Sequence, residues 1–417
     1  MSEFPDFQGE QPPVTYELVN QLLDRAQTVL PPNGVYDKLK SAEEEGRQLR
    51  VKMGVDPTSA DLHLGHAVGM HQLRRFQALG HLPVIIIGDF TARIGDPSGR
   101  NQSRPLATPE EIDRNAETYI DQLGKVLDVD RIEVRRNSEW LGSMSLSDTV
   151  ELLSEGTLAQ VISRDDFRKR LDTGSPIALH EIVYPMLQGM DSVAVAADIE
   201  IGGVDQLYAF QAARMLQGNR GQEPEATVMM PLLRGLDGEK KMSKSLGNYI
   251  GLADEPNDMY GKIMSAPDTL LDEYLRLAST FGKSEIDTMM TSITYDRVNP
   301  MQIKLRLARN ITALYHGQDA ADAAADHFDH QFRSRREQDR EWRVVQVAQS
   351  MTSLVDILIT AGVVDSRNKA RRLITDGAVE INGHRATLDK GEHLSDVDGL
   401  RIRAGKRHFI ETKLSDE

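Results

Sequence analysis

The sequence predicts an α/β protein: a doubly wound parallel-sheet (Rossmann-like) domain, then an α-helical domain, then a small α+β domain. Three observations carry that expectation. Short apolar runs such as Val84-Ile85-Ile86-Ile87 alternate with amphipathic helical stretches between Arg50 and Leu232, as strands covered on both faces do. From about 255 to 345 this alternation gives way to Ala, Leu, Met and charge at helical spacing, with breaks at Pro256, Pro267 and Pro300. From Thr352 the texture changes once more, into two short helical patterns and then turn signals.

In chain order, residues 1–48 read as helix and connector: Tyr16–Leu23 has helical spacing and Pro31-Pro32-Asn33-Gly34 ends it. Strands are expected at Arg50–Val55, Pro83–Gly88, Arg131–Arg135, Ser192–Ile201 and Thr227–Leu232. Helices are expected at Leu64–Leu79, Pro109–Leu127, Ser147–Glu155 and Gly203–Gln217. The domains are accordingly 1–250, with an N-terminal helical arm and inserted connective helices at about 105–185, then 251–345, then 352–417. In the last, Leu354–Leu358 and Ser366–Ile374 read as helices, Gly377 stops the second, and Asn382-Gly383 marks a hairpin.

The 417 residues are 40% hydrophobic and 27% charged, which suits a soluble chain of two or three domains. No apolar run approaches the roughly 20 residues that span a bilayer, and Met1–Asp6 lacks the pattern of a secretory leader. A cytoplasmic location is expected. With no cysteine, disulfides and Cys-based zinc sites are excluded, and without a GxGxxG no dinucleotide or other organic cofactor is indicated. Residues 352–417 hold 11 basic and 11 acidic residues, so the remaining 38 basic and 53 acidic residues carry the whole charge of −15. An acidic body argues against non-specific nucleic-acid binding. Within the neutral tail, however, Arg367, Lys369, Arg371 and Arg372 bunch on one helix, with Arg401, Arg403, Lys406 and Arg407 following. That grouping is expected to be a shape-reading RNA surface with phosphate contacts.

The chemistry is concentrated in two motifs 178 positions apart, His63-Leu64-Gly65-His66 and Lys241-Met242-Ser243-Lys244-Ser245. The first follows a strand and Asp56-Pro57-Thr58 and opens a helix. Its imidazoles therefore share one face of a first turn that already presents unpaired N–H groups and a positive dipole end. Gly65 has no β-carbon, so a flat ring can pack on the backbone there. The second motif lies in a polar loop, from which Lys241 and Lys244 can meet the β- and γ-phosphates as charge builds. Either motif alone is commonly just a capped helix or a solvated loop. Together they suit stabilisation of an ATP triphosphate while a carboxylate attacks the α-phosphorus. Independently, Tyr184, Gln188 and Asp191 have spacings of four and three, one face of a helix.

The pair of motifs resembles the signature of class I aminoacyl-tRNA synthetases. The fuller text is similar to the bacterial tyrosyl-tRNA synthetase family: Gly54-Val55-Asp56-Pro57-Thr58, Gly95-Asp96-Pro97-Ser98-Gly99, Tyr184…Gln188…Asp191 and Gly202-Gly203…Asp205-Gln206. The tail resembles that family's S4-type RNA-binding module. The resemblance implies that Thr91, Asp96, Tyr184 and Gln188 hold the ammonium of L-tyrosine, Gln206 lies near its carboxylate, and Asp191 accepts its phenol hydroxyl. It implies that Asp56, Thr58, His63, Gly65, His66 and Lys244 serve ATP, with Gly203 and Asp205 at the ribose and Arg100 and Arg104 joining the phosphates. Catalysis would rest on His63, His66, Lys241, Lys244, Arg100 and Arg104. ATP would enter with Mg²⁺, the second substrate would be tRNA(Tyr), and the enzyme would be a homodimer.

Two positions depart from the family pattern. Many members have a tyrosine where this chain has Lys52, and often a cysteine where it has Met53. Either Lys52 points away and another group assists, or Asp191 reads the hydroxyl with less help. Three rivals share parts of the text. A tryptophanyl-tRNA synthetase has both signatures, but Asp191 and the basic tail argue against it. An HxGH nucleotidylyltransferase has little use for that tail, and an RNA-binding or splicing accessory has no need of the intact lysines.

Overall fold

The computed structural model describes residues 12–417 apart from 58–59, 95–107, 163–164, 296–297, 339–341, 387–393, 395–396, 406–407 and 416–417. It divides into two compact units, Met1–Phe328 and Asp329–Glu417.

The first unit is built on a six-stranded sheet: β1 (Thr28–Leu30), β2 (Arg50–Val55), β3 (Leu82–Ile87), β4 (Glu133–Arg136), β5 (Ile199–Gly203) and β6 (Ala226–Met230). Their spatial order is β1-β6-β5-β2-β3-β4. The five strands from β2 onward pair in parallel, and β1 is antiparallel on β6. Parallel α/β architecture is therefore as expected, but its edge is mixed, because β1 lies in the stretch read as helix and connector. Helices α1 (Tyr16–Leu22) and α2 (Gly34–Glu45) precede β2, α3 (Leu64–Ala78) joins β2 to β3, and α4 (Pro109–Leu123) precedes β4. Between β4 and β5 lie α5 (Ser138–Leu141), α6 (Leu146–Ser154), α7 (Leu158–Ile162), α8 (Asp165–Asp172) and α9 (Leu179–Ala194), and α10 (Leu207–Asn219) leads to β6.

One expected strand is half helix. Ser192–Ala194 close α9, Ala196 turns the chain with φ +47, and β5 starts only at Ile199. The alternation of Val193, Val195 and Ala197 imitates a strand, yet the helical face through Tyr184, Gln188 and Asp191 continues to Ser192, which is fully buried. Packing of that face decides the outcome.

Two features position the site. From β2 the chain moves outward to β3 and β4, then returns to β5 on the other side of β2. The strand order thus reverses between β2 and β5, and a crevice opens beyond their carboxyl ends. Second, β2 shows two faces. Met53 packs toward α3, where a β-carbon at Gly69 would lie 3.0 Å from its Cε. Lys52 points to the opposite face, under α9. Met53 is thereby a core residue. On α3, Leu64, Leu73 and Phe76 are completely buried, each contributing about 1.5–3 kcal/mol by leaving water.

Helices α11 (Pro256–Ser265), α12 (Leu271–Ala278), α13 (Lys283–Thr294), α14 (Pro300–His316) and α15 (Gln318–Gln338) follow. Met259, Tyr274, Leu307 and Ile311 lie in the same apolar core as Leu64 and Phe76. The helical region up to 328 is thus cored together with the sheet.

The second unit has its own core, including Val345, Leu358, Ile374, Ile402 and Ile410. Its sheet runs β7 (Arg343–Val347), β11 (His408–Leu414), β10 (Arg401–Ala404), β8 (Val379–Ile381), β9 (His384–Arg385), with helices α16 (Leu354–Thr360) and α17 (Arg367–Thr375). β7 falls in a stretch whose composition reads as helical and pairs parallel with β11. The hairpin β8–β9 turns at Asn382 and Gly383, both with positive φ, as its Asn-Gly dipeptide requires.

Candidate active site

Beyond the carboxyl ends of β2 and β5, two clusters of side chains face the crevice. The first is organised by Asp56, the residue after β2. Its Oδ1 accepts from Thr91 Oγ1 at 2.8 Å, and its Oδ2 accepts from Tyr184 Oη at 2.8 Å. Gly88 makes the approach possible, since a β-carbon there would lie 1.9 Å from Asp56 Oδ1 and 2.4 Å from Thr91 Oγ1. Asp56, read from sequence as an ATP residue, thus shares its carboxylate with two residues read as tyrosine-binding.

The cluster extends to Asp191. Asn137 Nδ2 donates to Thr91 Oγ1 at 3.0 Å and to Asp191 Oδ2 at 3.5 Å, while Trp140 Nε1 donates to Asp191 Oδ1 at 3.0 Å. A hydrogen-bonded chain therefore runs from Trp140 through Asp191, Asn137, Thr91 and Asp56 to Tyr184. Asp191 is buried, and burial pushes its carboxyl up to about 7 against the opposing charge of Lys52 and the Trp140 bond. On the side of α9 away from Asp191, Gly189 allows close packing on α10: a β-carbon there would lie 3.0 Å from Ala213 N. Gln188 is half-buried on α9, and Gln206 lies over Gly202, whose β-carbon would come 2.3 Å from Gln206 Oε1.

The second cluster surrounds the start of α3. His63 is the residue before its first turn, and its N–H donates to His66 Nδ1 at 3.2 Å. The two rings lie 3.9 Å apart. Burial, and then the nearby charge of Lys244 and Lys241, pushes His63 down to about 2 and His66 to about 4. Both imidazoles are therefore neutral at pH 7, able to donate hydrogen bonds while the positive charge comes from the lysines. The flat ring resting on Gly65 is that of His63: a β-carbon there would be 3.0 Å from its Nδ1. That Nδ1 is buried and makes no hydrogen bond to the described residues.

The lysine loop is tied to this turn. Leu64 N donates to Ile250 O at 3.0 Å and Leu252 N to Leu62 O at 2.9 Å, so His63 and Gly251 form an antiparallel bridge. Buried Met242 anchors the loop in the core. Ser243 N donates to Asn248 Oδ1 at 2.8 Å, closing the turn that carries Lys244. Lys241 Nζ lies 2.8 Å from Asp205 Oδ2, and Lys244 Nζ lies 3.0 Å from Asp61 Oδ2 and 5.6 Å from the centre of the Tyr249 ring. The two motifs thus converge.

Thr58, Asp96, Arg100 and Arg104 lie outside the described residues. In the second unit, Arg367, Lys369, Arg371 and Arg372 are exposed along α17; Arg367 pairs with Asp356 at 2.7 Å and Lys369 with Asp365 at 2.9 Å. Sequence reasoning misses Asn137, Trp140, Asp61 and Tyr249. For the first two a signal exists, because Asn137-Ser138-Glu139-Trp140 directly follows the carboxyl end of β4, where ligands of such sheets collect.

Residues 44–333 match the family model for tRNA synthetases class I (W and Y), and residues 337–410 match that for the tyrosine--tRNA ligase SYY-like C-terminal domain. Tyrosine--tRNA ligase 2 of Photorhabdus laumondii is 44% identical over 393 residues, covering 94% of this chain and 98% of the relative. Tyrosine--tRNA ligase of Thermotoga maritima is 46% identical over 363 residues, 87% of this chain and 90% of the relative. Among solved structures, the Archaeoglobus fulgidus tyrosyl-tRNA synthetase complexed with L-tyrosine superposes with a TM-score of 0.58 at 22% identity, over 74% of this chain and 99% of that one. That likeness speaks for the fold. With both of its units matched and relatives aligned along almost their whole length, the chain belongs to the class I tRNA synthetases, in the tyrosine--tRNA ligase family.

Proposed function

We propose that this ligase activates L-tyrosine with Mg·ATP and then transfers it to tRNA(Tyr), with the two clusters above as the amino-acid and triphosphate sites. The observation that carries the reading is their adjacency at the reversal of strand order: a buried acceptor chain ending in Asp191, next to neutral imidazoles ringed by two ammonium groups. The tyrosine carboxylate attacks the α-phosphorus, the bond to the bridging oxygen breaks, and pyrophosphate leaves tyrosyl adenylate behind. A terminal ribose hydroxyl of tRNA then attacks the carbonyl carbon and AMP departs. The substrate supplies its own nucleophile. The chain's part is to position it and to stabilise developing negative charge.

We assign the roles as follows. Tyr184, Thr91 and Asp56, with Gln188 and Asp96, receive the ammonium; Gln206 lies near the carboxylate; Asp191 takes the phenol. His63 and His66 donate to phosphates, Gly65 lets the His63 ring lie against the backbone beside the nucleotide, and Gly203 contacts the ribose. On this reading the triphosphate draws Lys241 and Lys244 away from Asp205 and Asp61, leaving Asp205 to the ribose, and Thr58, Arg100 and Arg104 complete the phosphate site. Mg²⁺ enters as part of the nucleotide substrate; among the described residues there is no group of three His, Asp or Glu able to hold it alone.

Residues 1–250 would carry activation, and residues 251–345, with α11–α15, and the second unit would bind tRNA, with Arg367, Lys369, Arg371 and Arg372 on phosphates. Leu146, Val150, Leu158 and Leu179 on the α6–α9 connection are 81%, 59%, 60% and 82% exposed. Such an apolar surface suits a second copy of the chain, and we propose a homodimer on it. No described helix is long and apolar enough to cross a membrane, and we place the enzyme in the cytoplasm with its substrates.

The deciding experiment is ATP–pyrophosphate exchange measured with each of the twenty amino acids. Exchange with tyrosine alone is expected. Exchange with tryptophan, or with none, would overturn the assignment.

A further inference from the structure

Lys52 occupies the position where the family pattern often has a substrate-facing tyrosine, and its surroundings give it a different task. In the parallel register of β2 and β5, Lys52 stands opposite Glu200. Its Nζ lies 2.7 Å from Glu200 Oε1 and donates to Ser192 Oγ at 2.8 Å, while Ser192 Oγ donates to Glu200 Oε2 at 3.1 Å. Lys52, Ser192 and Glu200 are at most 1% exposed. Glu225, just before β6, is fully buried as well, and burial with the neighbouring Glu200 charge holds its carboxyl well above the usual range. The cluster thus sets one ammonium against two buried carboxyl groups.

Stability does not account for such a pair, since well-packed apolar residues commonly replace a buried ion pair without loss. Its location does. Ser192 is the neighbour of Asp191 on α9, so the ammonium grips the turn that carries the phenol acceptor. The charge of Lys52 also draws the Asp191 carboxyl toward its ionised form, against burial and the Glu200 charge. We infer that Lys52 is a positioning residue for tyrosine recognition: with Glu200 it clamps the Asp191–Ser192 turn to β5 and keeps a positive charge behind the carboxylate that meets the phenol. The inference rests on the tyrosine reading above.

Discrimination follows. An ionised Asp191 accepts the phenol hydrogen, whereas phenylalanine leaves a buried charge without that partner. Tyrosine-specific synthetases are the reference case for rejection of an analogue lacking one hydroxyl, by about 10⁵; that magnitude belongs to the reference enzymes, and for this chain only the direction is predicted. Removing the Lys52 charge pushes the Asp191 carboxyl up further, so that it holds a proton at higher pH and donates instead of accepting. The groups facing it are Lys52 from β2, Glu200 from β5, and neutral Asn137 and Trp140 after β4; Glu225 before β6 stands behind Lys52 and Glu200.

The test is exchange kinetics of the full chain with tyrosine and with phenylalanine, between pH 6 and 9. Lys52→Met should raise KM for tyrosine about tenfold or more, the loss of one good hydrogen bond, with KM for ATP unchanged. The tyrosine-to-phenylalanine ratio of kcat/KM should fall, and the acid limb for tyrosine should move to higher pH. Lys52→Arg, which keeps the charge, should preserve the ratio. Lys52→Met with Glu200→Gln removes the pair as a unit and guards against loss of the fold; it too should lose selectivity. If that double variant, folded by circular dichroism, keeps the wild-type ratio and acid limb while the wild type exchanges with tyrosine, the inference alone falls. A wild type without tyrosine-dependent exchange overturns the tyrosine reading and the inference with it.

Discussion

Lys241 Nζ lies 2.8 Å from Asp205 Oδ2, so a lysine suited to the leaving pyrophosphate is held by a carboxylate suited to the ribose. Each satisfies the other until a nucleotide offers both a better partner. The lysine side chain is 36% exposed, and a pair of that kind is worth only about 0–1 kcal/mol, so ATP can separate it at little cost. The two residues should then fail differently. Lys241→Ala should lower kcat for exchange by about 10²–10³, the usual loss of one donor to developing charge, with KM for tyrosine unchanged. Asp205→Ala should act chiefly on KM for ATP. Exchange kinetics at saturating tyrosine with ATP varied separate the two, and equal effects of both variants on kcat and on KM for ATP would contradict the assignment.

Acid should unfold this protein by charging its buried imidazoles. His63, His66, His71 and His81 are pushed down to about 2, 4, 3 and 4, burial being the first cause in each. All four are neutral in the folded chain at pH 5, whereas in the unfolded chain they titrate near 6.5. Between pH 6.5 and about 4 the unfolded state therefore binds more protons, so stability is full above 6.5 and is lost as pH falls. Each histidine contributes a slope of up to about 1.4 kcal/mol per pH unit in that window. Urea unfolding at pH 7 and pH 5 should show the loss, and His81→Gln should reduce it by about one proton's worth. A stability independent of pH over this range would refute the burial argument.

Much of this is legible in the residues alone, and the reasons differ by position. Arg50–Val55 is readable with its final bounds because an apolar run after a polar stretch and before Asp-Pro leaves few alternatives. Tyr184 and Asp191 share a face because helical period is a local property. By contrast β1 is three residues long and is held by pairing with β6, nearly two hundred positions away, which no local pattern encodes. Ser192–Ala194 mislead for the opposite reason, a local alternation overridden by packing. Asn137 and Trp140 are signalled only by their place after β4, and the role of Asp61 depends on Lys244, a partner distant in the chain. Lys52 is visible as a departure, but its meaning needs Glu200, which only the register of β2 and β5 supplies.

Two glycines should divide the active site into its halves. A β-carbon at Gly88 would lie 1.9 Å from Asp56 Oδ1, forcing apart the carboxylate that joins Thr91 and Tyr184. Overpacking of that kind costs about 1–3 kcal/mol. Gly88→Ala should therefore raise KM for tyrosine by about tenfold or more, with a smaller change in KM for ATP. At Gly65 the β-carbon meets the His63 imidazole at 3.0 Å, and Gly65→Ala should show the reverse pattern, with KM for ATP rising. Substrate titrations of exchange in the two variants give the comparison directly, and the same pattern in both would mean that the clusters do not bind separate substrates.

The tail should matter for the second step only. Arg367, Arg371 and Arg372 are exposed on α17, and the acids beside Arg367 and Arg372, Asp356 and Asp376, lie at 2.7 and 3.8 Å. Exposed pairs of this kind are weak, so a phosphate backbone can replace the carboxylates as partner. Each lost phosphate contact should weaken tRNA binding without regard to base and reduce the salt slope by about one. Arg367→Ala with Arg371→Ala and Arg372→Ala, made in the full chain, should lower kcat/KM for tRNA by about tenfold or more at physiological salt, with a flatter dependence on salt concentration. Tyrosine-dependent ATP–pyrophosphate exchange, which needs no tRNA, should be unchanged. Aminoacylation and exchange assayed on one preparation make the distinction. A parallel loss of both activities would mean that these arginines support the fold rather than the nucleic acid.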